Sequence, residues 1–193
     1  MVVKKLFFFL SLFFVSTLIS ACTELSIGKT VGDFTLEDRP FGSSVMDSKT
    51  EISLKSDLFD YNHTFPVKVS LMVSERRALI VGNMDSQEEI DAVERIIWKN
   101  PYITEVYNYL ELTENGIVDS SKDVLLSKAV RLHLIGAEGV TSSNYKTLVN
   151  NKIVYVLGYA ESAKEKDLML QTLQKVTGLR RIVPFVIIVK KEK

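Results

Sequence analysis

The residues able to carry chemistry are few and far apart in this chain. There is one cysteine, Cys22, and there are two histidines, His63 and His133. A single thiol cannot close an intramolecular disulfide, and two distant histidines do not complete a metal-ligand spacing with it. No nucleophile, base and orienting group form a catalytic pattern. We therefore expect a protein that is not an enzyme and that holds no cofactor and no metal ion.

The two histidines have ordinary structural interpretations. His63 lies in the sequence YNHTFP, ahead of a predicted strand, which favours a solvated turn. His133 lies late in a predicted helix, where a positive ring would suit the negative end of the helix dipole.

The lone cysteine follows an N-terminal export signal. Two lysines give a positive start, residues 6–19 are mostly apolar, and Ser20 and Ala21 are small. That order predicts a secretory signal peptide over residues 1–21. The apolar run is shorter than the ~20 residues of a membrane span. An uncleaved N-terminal anchor is the alternative.

The residues around the cysteine have a known counterpart. Ile19-Ser20-Ala21-Cys22 resembles the lipobox of bacterial lipoproteins, in which an aliphatic and two small residues precede a lipidated cysteine. The resemblance implies cleavage before Cys22 and attachment of acyl chains such as palmitate, and two acyl chains suffice for stable anchoring. Thr23, where Asp would signal retention, resembles lipoproteins sorted to the outer membrane. That resemblance implies a location on its periplasmic face.

Composition argues against a large charged binding field. The chain has 24 Lys and Arg against 24 Asp and Glu. No global potential recruits nucleic acid, so we expect no nucleic-acid partner, and electrostatic binding must come from a local patch. Residues 22–43 are punctuated by glycine and proline without a sustained period, which predicts a lipidated cysteine followed by a tether.

The rest of the chain repeats itself at an offset of 76 residues. Residues 47–112 align with residues 123–188 without a gap and share an apolar register. Eight aligned positions are identical: Asp47/Asp123, Leu58/Leu134, Val73/Val149, Gly82/Gly158, Ser86/Ser162, Glu89/Glu165, Asp91/Asp167 and Lys99/Lys175.

Each copy predicts the same order of elements. A helix, over 44–59 and 121–135, is followed by two strands, a second helix and a last strand. The turns between the paired strands are placed at residues 74–77 and at Asn150-Asn151, because Asn tolerates positive φ. Ser86 and Ser162, each with a glutamate three residues later, predict capping boxes.

The expected fold class is therefore α+β. Two αββαβ modules, at 44–112 and 121–189, are joined by a linker at 113–120, and each has two helices on a three-stranded mixed sheet. A module this small is near the lower limit for folding alone, so the two are expected to pack together or to follow each other closely.

The modules resemble a known domain. Gly82 and Gly158 close the second strands, and Ile103-Thr104-Glu105-Val106 and Leu179-Arg180-Arg181-Ile182 precede the last strands. These features resemble the BON domain, named for osmotic-stress and nodulation proteins of bacteria. Members usually have glycine where copy one has Tyr102, whereas copy two has Gly178. The resemblance implies two tandem BON domains with Gly82 and Gly158 as structural glycines.

A lipobox followed by two such modules narrows the resemblance. Together with LEDRPFGSSVMDSKTEISL at residues 36–54, it is similar to the dual-BON outer-membrane lipoproteins that support envelope integrity and gather at division sites. The resemblance implies a membrane-anchored protein that binds anionic phospholipid through the first helix of the second domain. Envelope assembly or division proteins are implied as further partners.

That helix carries the candidate lipid-binding residues. Val124, Leu125 and Leu126 are consecutive, so they cannot all face one core. Cations lie near them, and an amphipathic helix with basic flanks is a typical surface-binding device. The candidates are Lys122, Val124, Leu125, Lys128 and Arg131. The alternative is that these apolar side chains pack between the modules.

Two other functions compete with lipid binding. One is an envelope scaffold whose domains bind protein partners. Trp98 is its candidate contact, unless that ring covers the end of the core. The other is a tethered periplasmic stress protein that acts as a holdase. An exposed face of residues 121–135 that is basic and apolar favours the lipid hypothesis over the scaffold.

Overall fold

The computed structural model describes residues 39–113 and 121–189, with side chains from residue 44 onward. The predicted signal peptide, the lipobox at Cys22, most of the tether and linker residues 114–120 lie outside the described residues. The predicted domain boundaries therefore stay predictions.

Residues 39–113 form what we call the first module. Its elements are α1 (Arg39–Tyr61), α2 (Phe65–Lys68), β1 (Val69–Ser74), β2 (Arg77–Met84), α3 (Gln87–Trp98) and β3 (Glu105–Leu112).

Residues 121–189 form the second module. Its elements are α4 (Ser121–Ile135), a short 3-10 turn (Ser142–Asn144), β4 (Tyr145–Asn150), β5 (Ile153–Ala160), α5 (Ala163–Gln174) and β6 (Arg181–Ile188).

Both modules have the predicted α+β architecture. In each, the first two strands are antiparallel, and the third pairs in parallel with the second. The sheet orders are β1-β2-β3 and β4-β5-β6. The mixed three-stranded sheets are thus confirmed in both copies. None of the helices in the described residues is long and apolar enough to cross a membrane.

The first helix differs from its prediction. It begins at Arg39, not at residue 44, and Pro40 stands in its first turn. Proline suits that position because the first N–H groups of a helix have no intrahelical acceptor. Helix α4 keeps its predicted bounds, Ser121–Ile135.

The offset of 76 extends to individual hydrogen bonds. In the first module, Asp47 accepts the N–H groups of Glu75 and Arg76 at 2.7 and 3.2 Å. In the second module, Asp123 accepts those of Asn151 and Lys152 at 2.7 and 2.9 Å. All four donors have positive φ. The repeated aspartate thus ties the first helix to a tight hairpin turn.

The second hairpin turn lies one residue later than predicted. The second turn is centred on Asn151 and Lys152, and not on Asn150-Asn151, because Asn150 is the last residue of β4 and pairs with Ile153. A two-residue hairpin with positive φ at both central positions matches the twist of the flanking strands.

Gly82 and Gly158 were predicted to end the second strands, but the strands continue past them. β2 and β5 continue to Met84 and Ala160. A Cβ added at Gly82 would collide with the backbone carbonyl oxygen of Lys68, and one at Gly158 with that of Asn144. Each glycine therefore lets the chain entering the first strand lie directly against the second strand.

Both predicted N-caps are confirmed, with a variation. Ser86 and Ser162 accept the N–H of Glu89 and Glu165 at 3.2 and 3.1 Å. Each glutamate carboxylate accepts the N–H of the residue before the cap, Asp85 or Glu161. In a regular capping box it would accept the N–H of the cap residue itself.

Tyr102, which replaces the expected glycine, has a partner of its own. Its hydroxyl donates to Asp47 Oδ1 at 3.0 Å. Burial, with the charge and hydrogen bond of Asp47, raises the pKa of Tyr102 to about 12. At the equivalent position Gly178 has φ +99, and a Cβ there would lie 3.2 Å from Leu126. The two modules fill the same corner in different ways.

The modules pack through the faces of their sheets that the helices leave uncovered. Buried residues from both sheets meet there, namely Met72, Leu79, Val81, Ile153, Tyr155 and Leu157. Tyr107 stacks on Phe185 with centroids 4.0 Å apart. The result is four layers, helices-sheet-sheet-helices, so the expectation that the modules pack together is confirmed.

Polar groups also cross between the modules. The buried guanidinium of Arg77 donates to the carbonyls of Gly158 and Phe185 at 2.7 and 2.9 Å. Lys146 pairs with Glu51 at 2.8 Å. Burial acts to raise the pKa of Glu51, but its hydrogen bonds from Lys146, Lys55 and the Val73 N–H outweigh this and hold it below the usual value.

Strands β1, β3, β4 and β6 lie at sheet edges, and the edges of β3 and β6 are obstructed. Asn108 Oδ1 accepts the N–H of Leu110 at 3.0 Å. At the position equivalent to Asn108, β6 has Pro184, which has no N–H. Lys166 Nζ donates to the carbonyl of nearby Val186 at 2.8 Å.

Candidate functional site

Helix α4 has one buried face and one exposed face. Val130 and Leu134 are buried in the second module's core, with half-buried Leu126 and Ala129 packed against it. Buried Asp123 is held at the hairpin turn. The residues half a turn around the helix from this stripe face solvent, because α4 lies in the outer layer of the molecule.

The exposed face of α4 is unusually apolar. Val124 is 52% exposed, Leu125 67%, Leu132 68% and Ile135 61%. These side chains do not pack between the modules, since that contact is made by the two sheets. The alternative of an inter-module role for Val124 and Leu125 is therefore wrong. Large apolar side chains grouped on one exposed face are typical of a contact surface.

Cations accompany these apolar side chains. Lys122, Lys128 and Arg131 are all exposed. None of them forms an ion pair with any residue in the described parts of the chain. Asp123, the only acidic residue of α4, is buried and bonded to the turn. We call this surface the α4 face; its residues are Lys122, Val124, Leu125, Lys128, Arg131, Leu132 and Ile135.

All five predicted lipid-contact residues are exposed on α4, with Lys122 and Arg131 on opposite flanks, and their role in lipid binding stays a prediction. Leu132 and Ile135 were missed as candidates. The signal was present, since Leu125 and Leu132 stand seven residues apart and so share a face, while Val130 and Leu134 fall on the opposite one. Once Val130 and Leu134 are placed on the core face, Leu132 and Ile135 fall on the exposed side.

The first helix of the other module is also partly apolar outside. Val45, Ile52 and Phe59 are exposed along α1, with Ile52 70% exposed. Its charges differ from those of α4, because residues 44–61 hold two lysines and four carboxylates. One of these, Glu51, pairs with both Lys55 and Lys146.

The other singled-out residues lie apart from the α4 face. Trp98 ends α3 with its side chain 49% exposed, so it does not simply cover the core. His63 is exposed, with its ring centroid 4.4 Å from that of Phe59. His133 Nδ1 bonds the carbonyl of Ala129 at 2.8 Å. Among the described residues, no His, Cys, Asp and Glu cluster could hold a metal ion.

Comparison with known families identifies the first module. The family model described as "BON domain" matches residues 47–114. A BON domain is found there. It spans the aspartate that ties α1 to the hairpin, the glycine under Lys68 and the capped helix α3. BON domains are associated with envelope or membrane-related proteins. The second module has the same mixed sheet and fits the BON fold.

This chain has a distant curated relative. It is 25% identical, over 142 residues, to an "Uncharacterized protein in gshII 5'region" of Anaplasma centrale, covering 72% of this chain and 93% of that one.

Two solved structures of CdsD, a structural protein of the type III secretion system of Chlamydia trachomatis, are 18% identical, with TM-scores of 0.32 and 0.31. They cover 76% and 74% of this chain. The chain spans 65% of the first and 67% of the second, a C-terminal domain.

Proposed function

We propose that this protein is a lipid-anchored periplasmic lipoprotein of the outer membrane that binds anionic phospholipid through its second module and helps maintain envelope integrity. In this proposal Cys22 carries the acyl chains, and the second module is a second BON domain. The repeated aspartate, glycine and N-cap contacts support that assignment.

The α4 face is the single observation that carries the proposal. A helix lying in a membrane interface needs apolar side chains to enter the headgroup region and cations to meet lipid phosphates. Leu125 and Leu132 supply the first requirement, and Lys128 lies between them along the helix. Each Lys or Arg near an anionic surface contributes about 1 kcal/mol. The face thus combines two weak attractions that add up only on an anionic bilayer.

The anchor and the α4 face would act together. A chain held by lipid at Cys22 stays close to the bilayer, so binding of α4 becomes an intramolecular event with a high effective concentration. Weak affinity of the face alone is then sufficient for membrane contact. The face would also report lipid composition, since its cations respond to surface charge.

Flotation with liposomes tests this function. Residues 23–193, without the anchor, are mixed with vesicles of phosphatidylcholine containing increasing phosphatidylglycerol. We expect flotation that rises with anionic content and falls as salt is added, because the cations are screened. The Leu125→Glu variant, which places a carboxylate in the centre of the α4 face, is expected to stay at the bottom of the gradient.

Ile52→Glu is the matched control. Ile52 is as exposed as Leu125 but lies on α1, so its substitution is expected to leave flotation unchanged. Equal loss with both variants would mean that general charge, and not the α4 face, governs binding. If the wild-type chain fails to float at any composition, the proposed binding of the α4 face to anionic membranes is wrong.

An envelope scaffold is the second candidate, favoured by Trp98. An exposed Trp beside Arg95 and Lys99 on one helix face is a typical protein contact. Cross-linking in envelopes with Trp98→Ala against Leu125→Glu separates the two functions. Loss of a cross-linked protein only with Trp98→Ala would favour the scaffold.

A further inference from the structure

A groove of about 770 Å³ lies between α4 and α5 in the second module. It opens between the C-terminal half of α4, the loop that follows it and one side of α5. Its volume lies within the range of small-molecule sites, about 300–1,000 Å³. The two helices form the same outer layer, so the groove lies beside the α4 face.

Three basic side chains line this groove. They are His133 on α4, Lys164 in the first turn of α5 and Lys175 just beyond its end. The two lysines form no ion pair with any residue that the structure describes. His133 is oriented by its Nδ1 contact with the carbonyl of Ala129, which leaves Nε2 for another partner.

Two carboxylates also line the groove, and one of them is already engaged. Glu165 accepts the N–H groups of Thr141 and Glu161 at 2.9 and 2.7 Å. Both oxygens of Glu165 are therefore hydrogen-bonded to backbone N–H groups, one before the 3-10 turn and one before α5. Glu138 is exposed at the rim. The two lysines balance the two carboxylates in formal charge, so Lys164, Lys175 and the His133 ring are the donors left for an anionic ligand.

Two of the three basic positions have acidic equivalents in the first module, whereas Lys175 corresponds to Lys99 and keeps its charge. Offset by 76 residues, His133 corresponds to Asp57 and Lys164 to Glu88. Gly136, which lines the groove without a side chain, corresponds to Asp60. At these three positions the first module has carboxylates, whereas the second module has His133, Lys164 and the open space beside Gly136. The basic groove is a property of the second module's side chains and not of the fold.

We propose that this groove binds the phosphodiester headgroup of an anionic phospholipid. It rests on, and deepens, the lipid-binding function proposed above, with the α4 face entering the bilayer while the groove holds one headgroup. His133 and Lys164 meet the phosphate oxygens in charge-assisted hydrogen bonds. Gln171 and Thr172 offer polar groups to a hydroxylated headgroup.

Gly136 offers a test that leaves every charge in place. Its φ is not positive, and an added Cβ would meet only the carbonyl of Leu132 at 3.5 Å, an ordinary contact. Gly136→Leu is therefore expected to fold and to fill the groove. Lys164→Glu gives the groove the charge of the first module, and Arg180→Glu makes the same charge change at an exposed position outside the groove.

The probe is dihexanoyl phosphatidylglycerol below its micelle concentration, measured by calorimetry and amide NMR shifts on residues 23–193. Dihexanoyl phosphatidylcholine and inorganic phosphate are separate arms. We expect binding of the phosphatidylglycerol alone, weakened at least tenfold by Gly136→Leu and by Lys164→Glu and unchanged by Arg180→Glu. Leu125→Glu should keep this binding while losing flotation. Matching melting temperatures show that the variants are folded.

Each outcome decides one proposal. If Gly136→Leu binds like the wild type, the groove is not the site, even when flotation still depends on Leu125. If inorganic phosphate competes as well as the lipid, the site takes free phosphate esters and the lipid assignment is wrong. Binding of the short-chain lipid without any flotation would keep the groove and remove the membrane function.

Discussion

Helices α1 and α4 occupy the same place in two copies of one fold, but their outer surfaces differ. Asp47 and Asp123 make the same pair of bonds to their hairpins. On the outer surface, α4 presents leucines and exposed cations, whereas residues 44–61 of α1 carry more acids than bases. The identical residues maintain the module, and the differing residues give each module its own surface. Function in this molecule is therefore expected at positions where the copies disagree.

The glycines provide the most severe test of the shared architecture. Alanine at Gly82 or Gly158 would drive a methyl group into a backbone carbonyl that cannot move independently. We expect a loss of about 3 kcal/mol in the free energy of unfolding from either variant, as for strong overpacking. Urea unfolding measures it. A loss confined to one module would show that the repeat is not equivalent at this point.

Substitution of Asp47 and Asp123 tests whether the same hydrogen bonds contribute equally to the stability of the two modules. Asp123→Ala leaves two turn N–H groups without their acceptor, which should cost about 2 kcal/mol. Asp47→Ala should cost more, because Tyr102 also loses its acceptor. Thermal unfolding of both variants, with Asp123→Asn and Asp47→Asn beside them, gives the order. The comparison fails if Asp47→Ala is the milder change.

Exchanging the outer faces should move function without moving stability. Lys49, Ile52 and Ser56 are the α1 equivalents of Leu125, Lys128 and Leu132. We expect Lys49→Leu, Ile52→Lys and Ser56→Leu, added to Leu125→Glu, to restore some flotation. Exposed substitutions of this kind change stability by about 0.5 kcal/mol or less. If flotation is not restored, residues of the second module outside these three positions also contribute to binding.

The bridge between Glu51 and Lys146 is expected to show the smallest effect. Because Lys146 is partly exposed, its removal by Lys146→Ala should cost at most about 1 kcal/mol. The folded pKa of Glu51 is below its usual 4.5. The stabilisation is thus present above about pH 4.5 and is lost as the pH falls through the lower folded value. Stability of Glu51→Gln against pH should be flatter in that acid range.

Much of the fold was available from the sequence, because the repeat doubles each signal. The capping serines, the hairpins and the bounds of α4 follow from local chemistry. The early start of α1 did not, since glycine and proline at residues 40–42 resemble a tether. Positive φ at Glu75, Arg76 and Lys152 also carries no local signal, because the aspartate that accepts their N–H groups lies 28 or 29 residues earlier in the chain.

Packing between the modules was harder to read. Ala78, Leu79, Ile80 and Val81 are consecutive and buried, which is typical of a strand covered on both faces. That pattern predicts a second layer but does not say that the layer is the other module. The groove was missed for a related reason. Its basic residues are spread over two helices and meet only once α4 and α5 are packed.

The obstructed edges at Asn108 and Pro184 matter most where the protein is concentrated. A chain confined to a membrane surface meets its neighbours in two dimensions, at densities that favour strand-to-strand aggregation. With one edge N–H taken by Asn108 and another absent at Pro184, the outer edges of β3 and β6 do not offer a full template for a neighbour's strand. In the proposed anchored state, crowded copies are therefore expected to pair less readily through β3 or β6.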